Sequence, residues 1–249
     1  MVLVHTLEVF PSVDALNEAV GRAFLARLRS LIDEAQGRAR VNLAISGGAV
    51  ATSLLPSLLP RVGDVDWSRV RVWLVDERFV PAGHADRNDD QAWEGFFHAA
   101  SGVELVRMPT SDESAPGAGS LDAATSAFEA TWTELMGSGS FDIALIGMGP
   151  DGHICSLFPG RVDLEEPSPI LAIRNSPKPT PERITVSMPV MRACPEVWLT
   201  TAGEGKAEAI GRAFAGASTL DIPVAGILAP TTRVYLDEAA AASIAPLAP

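Results

Sequence analysis

One glycine-rich stretch of the sequence places a carboxylate and an imidazole two residues apart. Residues 146–160 read I-G-M-G-P-D-G-H-I-C-S-L-F-P-G and follow an apolar segment at 141–145. Glycines at this density let the backbone turn sharply and approach a ligand closely. Histidine has an unperturbed pKa that lets it accept and return a proton near neutral pH. The pattern indicates either a catalytic turn that carries Asp151 and His153 or a tight structural turn.

A second turn has the glycines that let backbone N–H groups bind an anion. Ser46, Gly47 and Gly48 follow an apolar segment at 41–45 and precede a helical pattern at 50–59. The N–H groups of such a turn, together with the start of the helix, can bind a phosphate. The turn lacks the Gly-Lys-Ser/Thr ending of a P-loop and the third glycine of a dinucleotide fingerprint. It predicts a phosphate site, with a simple tight turn as the alternative.

Two cations follow other apolar segments. Arg78 ends the run Asp76-Glu77-Arg78 after the segment at 70–75. A guanidinium can bind a phosphate with two parallel hydrogen bonds, whereas the alternative for this run is an ion-paired strand end. Lys206 follows a glycine-containing turn at the start of a predicted helix. A lysine there opposes the helix dipole and favours an adjacent anion, with simple solvation as the alternative.

Strand and helix signals alternate along the whole chain, without an internal repeat or a low-complexity linker. Ser12 has the side chain of a helix N-cap, and apolar residues then recur at helical spacing over 16–31. We therefore expect a single domain spanning 1–249, with an exposed loop at 110–120, which is rich in Ser, Gly, Pro and acids. The predicted strands are 2–10, 41–45, 70–75, 103–107, 141–145, 170–174, 184–188, 197–201 and 233–236, and the further helices are 50–59, a part of 86–100, 121–136 and 206–214.

This alternation predicts an α/β fold with a single open, mostly parallel sheet and helices on both of its faces. Ligands of such sheets bind beyond the carboxyl ends of the strands. Three polar loops, at 46–48, 76–78 and 147–153, each follow a predicted strand directly. They are therefore expected on one edge of one sheet, and their convergence favours the catalytic interpretation of His153.

The charge balance narrows the possible partners. The chain has 249 residues, of which 47% are hydrophobic and 20% charged, as in a globular protein with a sizeable core. Its 31 acidic and 19 basic residues give a net charge of −12, which argues against nucleic acids and anionic membranes as partners. A phosphorylated metabolite would therefore need a local group of cations and backbone N–H donors.

Three further features bear on localisation and cofactors. No segment approaches the ~18 apolar residues of a membrane span, and the N-terminus lacks the basic flank of a signal peptide. Cys155 and Cys194 are far apart, which predicts reduced thiols and a cytoplasmic protein. The 4 histidines and 2 cysteines form no cluster with metal-ligand spacing, so we expect neither a metal nor a cofactor.

These motifs, taken in order, resemble those of the 6-phosphogluconolactonases, and the similarity covers nearly the whole chain. The glucosamine-6-phosphate deaminases are related in fold, but their histidine motif is expected to continue with an Asn-Glu-Pro-type segment. This chain has L-F-P-G there, at 157–160, which favours the lactonase. The matching motifs are S-G-G at 46–48, D-E-R-F-V-P at 76–81, the histidine motif at 147–160, R-I-T at 183–185 and G-E-G-K-A at 203–207.

The resemblance implies a modified Rossmann-like fold and the hydrolysis of 6-phospho-D-glucono-1,5-lactone to 6-phospho-D-gluconate in the oxidative pentose phosphate pathway. It implies that His153 is the general base that activates water and that Asp151 orients or polarises it. The implied partner is a small phosphorylated sugar lactone, bound by a monomer or weak homo-oligomer. The implied ligands of that substrate are Ser46, Gly47, Gly48, Asp76, Arg78, Arg183 and Lys206.

For two of these residues, the sequence leaves a second role open besides substrate binding. Asp76 could contact sugar hydroxyls or hold Arg78, and Arg183 could form a structural ion pair instead of binding the substrate. The family often has Thr-Pro after the Gly-Gly turn, where this chain has Val50 and Ala51, so a hydroxyl that could help to bind phosphate is absent.

Other nucleophiles and histidines fit the chemistry less well. Cys155 suggests a cysteine hydrolase but is expected to pack as a small buried side chain. Ser156 lacks the Gly-x-Ser-x-Gly elbow of serine hydrolases. His84 is expected in an exposed loop, and His5 and His98 have no motif around them.

Two other functions remain open at this stage. One is an amino-sugar-phosphate deaminase or isomerase, which would use the same sugar-phosphate loops. The other is a non-catalytic sugar-phosphate sensor on the same fold. The intact His153 and the lack of an added DNA-binding segment weaken the sensor interpretation.

Overall fold

The computed structural model describes residues 6–35, 37–112 and 119–244. Helices and strands alternate through these residues, as the sequence predicts. The strands are β1 Thr6–Phe10, β2 Val41–Ile45, β3 Val70–Leu74, β4 Asp76–Arg78, β5 Glu104–Val106, β6 Ile143–Ile146, β7 Ile170–Ile173, β8 Arg183–Val186, β9 Val197–Thr201 and β10 Thr232–Asp237. The helices are α1 Val13–Glu34, α2 Leu55–Ser57, α3 Asn88–Gly95, α4 Leu121–Met136, α5 Met188–Ala193, α6 Ala207–Phe214 and α7 Glu238–Ala241.

The main sheet has seven parallel strands in the order β1-β10-β9-β6-β2-β3-β5. Successive residues of its strands alternate between two apolar layers because side chains point to opposite faces of a strand. Leu43 and Ile45 of β2 pack in the layer that contains α1 residues, whereas Ala44 packs in the layer that contains α4 residues. The α/β class with an open parallel sheet is confirmed.

Local signals in the sequence set the ends of the long helices. Ser12 accepts a hydrogen bond from the N–H of Ala15 and caps α1, and Ser120 caps α4 through the N–H of Ala123. Helix α4 has the predicted bounds. The predicted helix at 50–59 begins instead as a π-helix over Val50–Leu54, which runs into α2.

A second sheet is the main difference from the sequence-based expectation. Strands β4, β8 and β7 form a three-stranded antiparallel sheet in that order, separate from the main sheet. We call it the small sheet. The segments predicted as strands at 170–174 and 184–188 belong to it, and so does the run Asp76-Glu77-Arg78, which follows β3 after one residue. Alternating hydrophobicity identifies strands but does not say which sheet they join, so the prediction of one sheet was wrong on this point.

Parts of two predictions fall outside the described residues. These are positions 2–5 of the first predicted strand and positions 113–118 of the predicted loop at 110–120. The described helices include none that is long and apolar enough to cross a membrane. The assignment of 1–249 to a single domain stays a prediction.

Candidate active site

A cleft of about 370 Å³ lies at the carboxyl edge of the main sheet. The turns after β2, β6 and β9 contribute to its lining, and so do β4 and β8 of the small sheet. This is the edge at which ligands of open parallel sheets bind. Eight of the residues predicted for the site line this cleft, namely Ser46, Gly47, Gly48, Asp76, Arg78, His153, Arg183 and Lys206.

Asp151, the remaining predicted site residue, forms a hydrogen-bonded pair with His153. The Nδ1 atom of His153 lies 2.5 Å from Oδ1 of Asp151. Because a carboxylate can only accept a hydrogen bond, Nδ1 carries the proton and the lone pair lies on Nε2. None of the described residues hydrogen-bonds Nε2. A carboxylate that holds an imidazole in this tautomer is the arrangement of a general base and its orienting group.

The charge of Asp151 is secured by the same contact. Burial would raise the pKa of Asp151, but the hydrogen bond and the charge of His153 hold it well below its usual range. Lys178 adds a further positive charge, since its Nζ atom lies 3.7 Å from Oδ2 of Asp151. The carboxylate therefore stays ionised at neutral pH, with one oxygen directed to the histidine and the other to the lysine.

Glycines are needed in this turn because His153 packs against its backbone. A Cβ atom on Gly149 would lie 2.0 Å from Cε1 of His153, too close for any other residue type. Gly152 has a φ of +81°, in the left-handed region that favours glycine. The N–H of Gly149 donates to the carbonyl of His153 at 2.8 Å and closes the turn. Phe158 supports the imidazole, with ring centroids 4.6 Å apart.

The two nucleophilic side chains that follow His153 are both buried, although Cys155 also lines the cleft. Cys155 is 7% exposed, and burial, with the nearby charge of Asp76, raises the pKa of its thiol well above the usual value. Ser156 is fully buried and donates its hydroxyl to Oδ2 of Asp76 at 2.6 Å. Cys155 thus packs as the small buried side chain that the sequence predicts, and the Ser156 hydroxyl is held by a carboxylate.

The Ser46-Gly47-Gly48 turn joins the ends of two neighbouring strands. The Oγ atom of Ser46 accepts a hydrogen bond from the N–H of Gly147 at 2.9 Å, so this hydroxyl holds the turns after β2 and β6 together. Gly48 has a φ of +58°, and the helical segment begins two residues later at Val50. The first turn of a helix has N–H groups without acceptors in the helix, which makes this a place for an anion.

Asp76 lies beside Arg183 and not beside Arg78. Its Oδ2 atom accepts the Ser156 hydroxyl and lies 3.9 Å from Nη1 of Arg183. Arg78 is held instead by the carbonyl of Asp86, at 2.6 Å from its Nη1 atom. The Nε atom of Arg78 is buried and has no hydrogen-bond partner among the described residues. Of the two roles left open for Asp76, the structure thus gives no support to a role in holding Arg78.

Arg183 is buried and bonded to the protein on three sides. Its Nε atom donates to the carbonyl of Thr180 at 3.1 Å, and Nη2 donates to the carbonyl of Pro179 at 2.6 Å. Its Nη1 atom donates to Oγ of Ser156 at 3.3 Å. Burial lowers the pKa of Arg183, although the charge of Asp76 opposes this. These contacts brace the turn between β7 and β8. Asp76, 3.9 Å away, is the partner for the structural ion pair considered as the alternative, and substrate binding by Arg183 stays a prediction.

Glu77 and Asn88 were missed as supporting residues. The buried Glu77 carboxylate accepts the first two N–H groups of α3, from Asn88 and Asp89, each at 2.8 Å. Asn88 lines the cleft and donates from Nδ2 to the carbonyl of Asp76 at 3.0 Å. A Cβ atom on Gly47 would lie 2.0 Å from its Oδ1 atom, so Gly47 is required for packing as well as for the turn.

Lys178 and Lys206 both line the cleft and bring positive charge close to Asp151. Burial lowers the pKa of Lys206, the charge of Asp151 raises it, and the charge of Lys178 lowers it further, so the three charges are neighbours. Sequence reasoning identified Lys206 but missed Lys178. The signal for Lys178 was the run S-P-K-P-T-P at 176–181, which lies one residue before the predicted R-I-T motif.

Comparison with known proteins shows which family this chain belongs to. The family described as Glucosamine-6-phosphate isomerases/6-phosphogluconolactonase matches residues 11–236. The chain belongs to this family. A 6-phosphogluconolactonase of Mycobacterium leprae is 35% identical over 251 residues, which cover 96% of this chain and 98% of the relative. One from Streptomyces coelicolor is 35% identical over 242 residues, which cover 92% of each chain.

The fold agrees with this membership. The solved structure of the 6-phosphogluconolactonase of Trypanosoma brucei has a TM-score of 0.82 at 20% identity, and the match covers 98% of this chain and 100% of that chain. At that identity the likeness concerns the fold alone. The resemblance to the 6-phosphogluconolactonases that the motifs indicate is confirmed by the similar relatives.

The departure from the family pattern after the Gly-Gly turn is also visible in the structure. Val50 and Ala51 are buried, so they support the π-helix from within. The next hydroxyl along the chain, that of Thr52, donates to the carbonyl of Gly48 at 2.9 Å. In this member of the family, the side chains of residues 50–52 are thus engaged by the protein, and the turn offers an anion its backbone.

His84 and His98 do not line the cleft. The His84 side chain is 44% exposed, as expected, and His98 is also exposed. His5 lies outside the described residues. Within the part of the chain that the structure describes, no three His, Cys, Asp or Glu side chains form a group that could hold a metal ion.

Proposed function

We propose that this chain is a 6-phosphogluconolactonase, which hydrolyses 6-phospho-D-glucono-1,5-lactone to 6-phospho-D-gluconate in the oxidative pentose phosphate pathway. The observation that carries the proposal is the His153–Asp151 pair in a cleft that also contains Lys206 and Arg78. The cleft thus offers a base for hydrolysis and, beside it, cations that can bind a phosphate. The similar 6-phosphogluconolactonases from Mycobacterium leprae and Streptomyces coelicolor support the same substrate.

His153 is the general base in this reaction. Its Nε2 atom takes a proton from a water molecule as the water oxygen bonds to the lactone carbonyl carbon. The resulting tetrahedral adduct collapses, the bond between that carbon and the ring oxygen breaks, and the histidine returns the proton to the departing oxygen. Asp151 holds the imidazole in the required tautomer and stabilises its positive charge between these two steps.

The phosphate is bound at the cations and the glycine turn. Arg78 and Lys206 come from different elements and both line the cleft, so they can bind a dianion from two directions. The turn formed by Ser46, Gly47 and Gly48 supplies backbone N–H groups. Asp76 and Arg183 complete the substrate site, with Arg183 acting mainly through the turn that it braces.

The remaining assignments belong to the same proposal. With a net charge of −12, the chain is suited to a small substrate and not to nucleic acid or an anionic membrane surface. We assign it to the cytoplasm as a monomer or weak homo-oligomer that works without a metal or cofactor. Its 249 residues form one domain.

The decisive experiment separates three functions on one protein sample. The protein is incubated with 6-phosphogluconolactone and, separately, with glucosamine 6-phosphate, while acid production and ammonia release are both recorded. A lactonase accelerates acid production from the lactone above its spontaneous hydrolysis and releases no ammonia. Ammonia from the amino sugar would identify a deaminase, and binding of either compound without turnover would identify a sensor.

A further inference from the structure

The chain uses lysine at only two positions. Of its 19 basic residues other than histidine, 17 are arginine and the two lysines are Lys178 and Lys206. Both line the cleft. Arginine serves every other cationic position, including the surface ion pairs of the described residues. Both lysines of the chain thus lie at the cleft. The lysine ammonium is a compact charge on a flexible stem, whereas the arginine guanidinium is planar.

Lys178 lies beside the proposed general base. Its Nζ atom is 3.7 Å from Oδ2 of Asp151, and the other oxygen of that carboxylate bonds Nδ1 of His153 at 2.5 Å. One carboxylate thus bridges the base and the ammonium group. Lys178 and His153 line the same cleft, and the four-carbon stem of Lys178 is flexible, so its ammonium group can change position while the histidine stays in place.

The turn between β7 and β8 is built to present this lysine. Pro177 and Pro179 flank Lys178, and each proline fixes its own backbone φ. The N–H of Lys178 donates to Oγ of Ser176 at 3.2 Å. Arg183 donates from Nη2 to the carbonyl of Pro179 at 2.6 Å. A backbone restrained on both sides of Lys178 lowers the entropy cost of holding its side chain at the cleft.

We infer that Lys178 is a second catalytic residue, whose ammonium group stabilises the carbonyl oxygen of the lactone while that oxygen carries negative charge. This inference rests on the proposed lactonase function and adds a residue to its mechanism. When water adds to the carbonyl carbon, the carbonyl electron pair moves to the oxygen, and the ammonium moves from Asp151 towards it. When the ring C–O bond breaks, the pair returns and Lys178 returns to Asp151 without having lost a proton.

This role differs from that of a phosphate ligand in a measurable way. The carbonyl group is common to phosphorylated and unphosphorylated gluconolactone, whereas only one of them has a phosphate. Loss of an oxyanion-stabilising group lowers kcat on both substrates, because the interaction is stronger in the transition state than in the ground state. Loss of a phosphate ligand lowers kcat/KM on the phosphorylated substrate alone.

The test compares Lys178→Met with the wild type on both lactones, after subtraction of spontaneous hydrolysis. We expect kcat to fall by about 10- to 100-fold on each substrate, at the lower end of the range for oxyanion-binding groups because the side chain is partly exposed. Lys178→Arg, which keeps the charge, should recover part of the loss. Arg174→Met is the matched control, since it removes a cation of the same turn that pairs with Asp122 outside the cleft.

A loss confined to the phosphorylated lactone would overturn the inference and make Lys178 a phosphate ligand. Unchanged kcat on both substrates would overturn it as well and leave Lys178 as a surface charge. In either case the wild type still hydrolyses the lactone, so the proposed function survives. If the wild type itself fails to hydrolyse phosphogluconolactone, the proposed function fails first.

An independent measurement locates the two lysines relative to the substrate. Reductive methylation with ¹³C-formaldehyde labels Lys178, Lys206 and the N-terminal amine, and single Lys→Arg variants assign the signals. Titration with 6-phosphogluconate, whose carboxylate occupies the carbonyl end, should shift the Lys178 signal, whereas inorganic phosphate should shift that of Lys206 alone. A Lys178 signal that responds to inorganic phosphate as strongly as to phosphogluconate would overturn the assignment.

Discussion

Two regions of the cleft are built in different ways. The histidine turn is local, because Asp151, His153 and the supporting Phe158 lie within eight residues and their contacts follow from one tight turn. The small-sheet region is assembled from distant segments, since Asp76 bonds Ser156 and lies beside Arg183. The proposed base thus depends on short-range contacts, whereas the region around Asp76 depends on contacts between segments that only the whole fold brings together.

The strongest test of the local region is the removal of its proposed base, His153. In His153→Ala, we expect kcat to fall by ~10²–10⁴-fold with little change in product binding, because general acid–base catalysis is lost. Steady-state kinetics on phosphogluconolactone would measure this, with circular dichroism as the check on folding. Adding Asp151→Asn to this variant should cost little more, since the carboxylate acts through the imidazole. A folded variant with near-wild-type turnover would exclude His153 from the mechanism.

The difference between local and distant contacts also explains which features could be predicted from the sequence alone. The periodicity of apolar residues predicted the main strands and α4, and the glycine density predicted the turn that carries His153. Both signals are short-range. The rule that ligands bind at the carboxyl edge of a parallel sheet then brought Ser46, Arg78 and Lys206 to one cleft, where the structure places them.

The contacts of the small sheet could not be predicted in this way. Nothing near Asp76 in the sequence shows that its partners are Ser156 and Arg183, 80 and 107 residues further on. The strand signals of β7 and β8 resemble those of the main sheet, because alternation reports burial and not the partner strand. The need for Gly47 to make room for Asn88 also depends on packing between segments that are distant in sequence.

The second prediction concerns Arg78 and Lys206, which are proposed to bind the phosphate and not to take part in the carbonyl chemistry. Arg78→Ala and Lys206→Ala should each lower kcat/KM for phosphogluconolactone by ~10–200-fold, since a charge-assisted contact contributes roughly 1.5–3 kcal/mol. The slow hydrolysis of unphosphorylated gluconolactone should barely change, because that substrate has no group for these cations. The measurement is kcat/KM of the wild type and each variant on the two lactones in parallel. Equal losses on both would show that these side chains support the fold or the carbonyl chemistry.

The Arg183→Lys variant tests whether Arg183 mainly stabilises the structure around the cleft. Arg183→Lys keeps the charge but loses the planar group that binds the carbonyls of Pro179 and Thr180. We expect the free energy of unfolding to fall by about 1–3 kcal/mol, as for lost hydrogen bonds to a charged group. Activity on both lactones should fall by about tenfold or less as the turn loosens. Unchanged stability with a raised KM for the phosphorylated lactone alone would instead identify Arg183 as a phosphate ligand.

The remaining prediction is a pH dependence of stability that originates at Glu77. Burial, with the nearby charge of Asp89, raises the pKa of Glu77 from 4.5 to about 7. The folded chain therefore holds this proton at pH values where the unfolded chain has released it, and the free energy of unfolding falls as pH rises from 4.5 to 7. Glu77→Gln lacks this titration, so its stability should fall less over the same window, by about 1–3 kcal/mol.

The measurement for Glu77 is urea unfolding of both proteins at several pH values between 4.5 and 7.5. The glutamine amide places an N–H opposite a backbone N–H of α3 that the carboxylate accepts. That mismatch destabilises the variant by an amount that does not change with pH in this window. The quantity to compare is therefore the change of the unfolding free energy with pH, and not the difference between the two proteins at one pH. Parallel stability curves would show that Glu77 is ionised throughout the range, held by the two N–H groups of α3 and by Arg87 despite its burial. The small-sheet region would then owe its order to a buried charge and not to a retained proton.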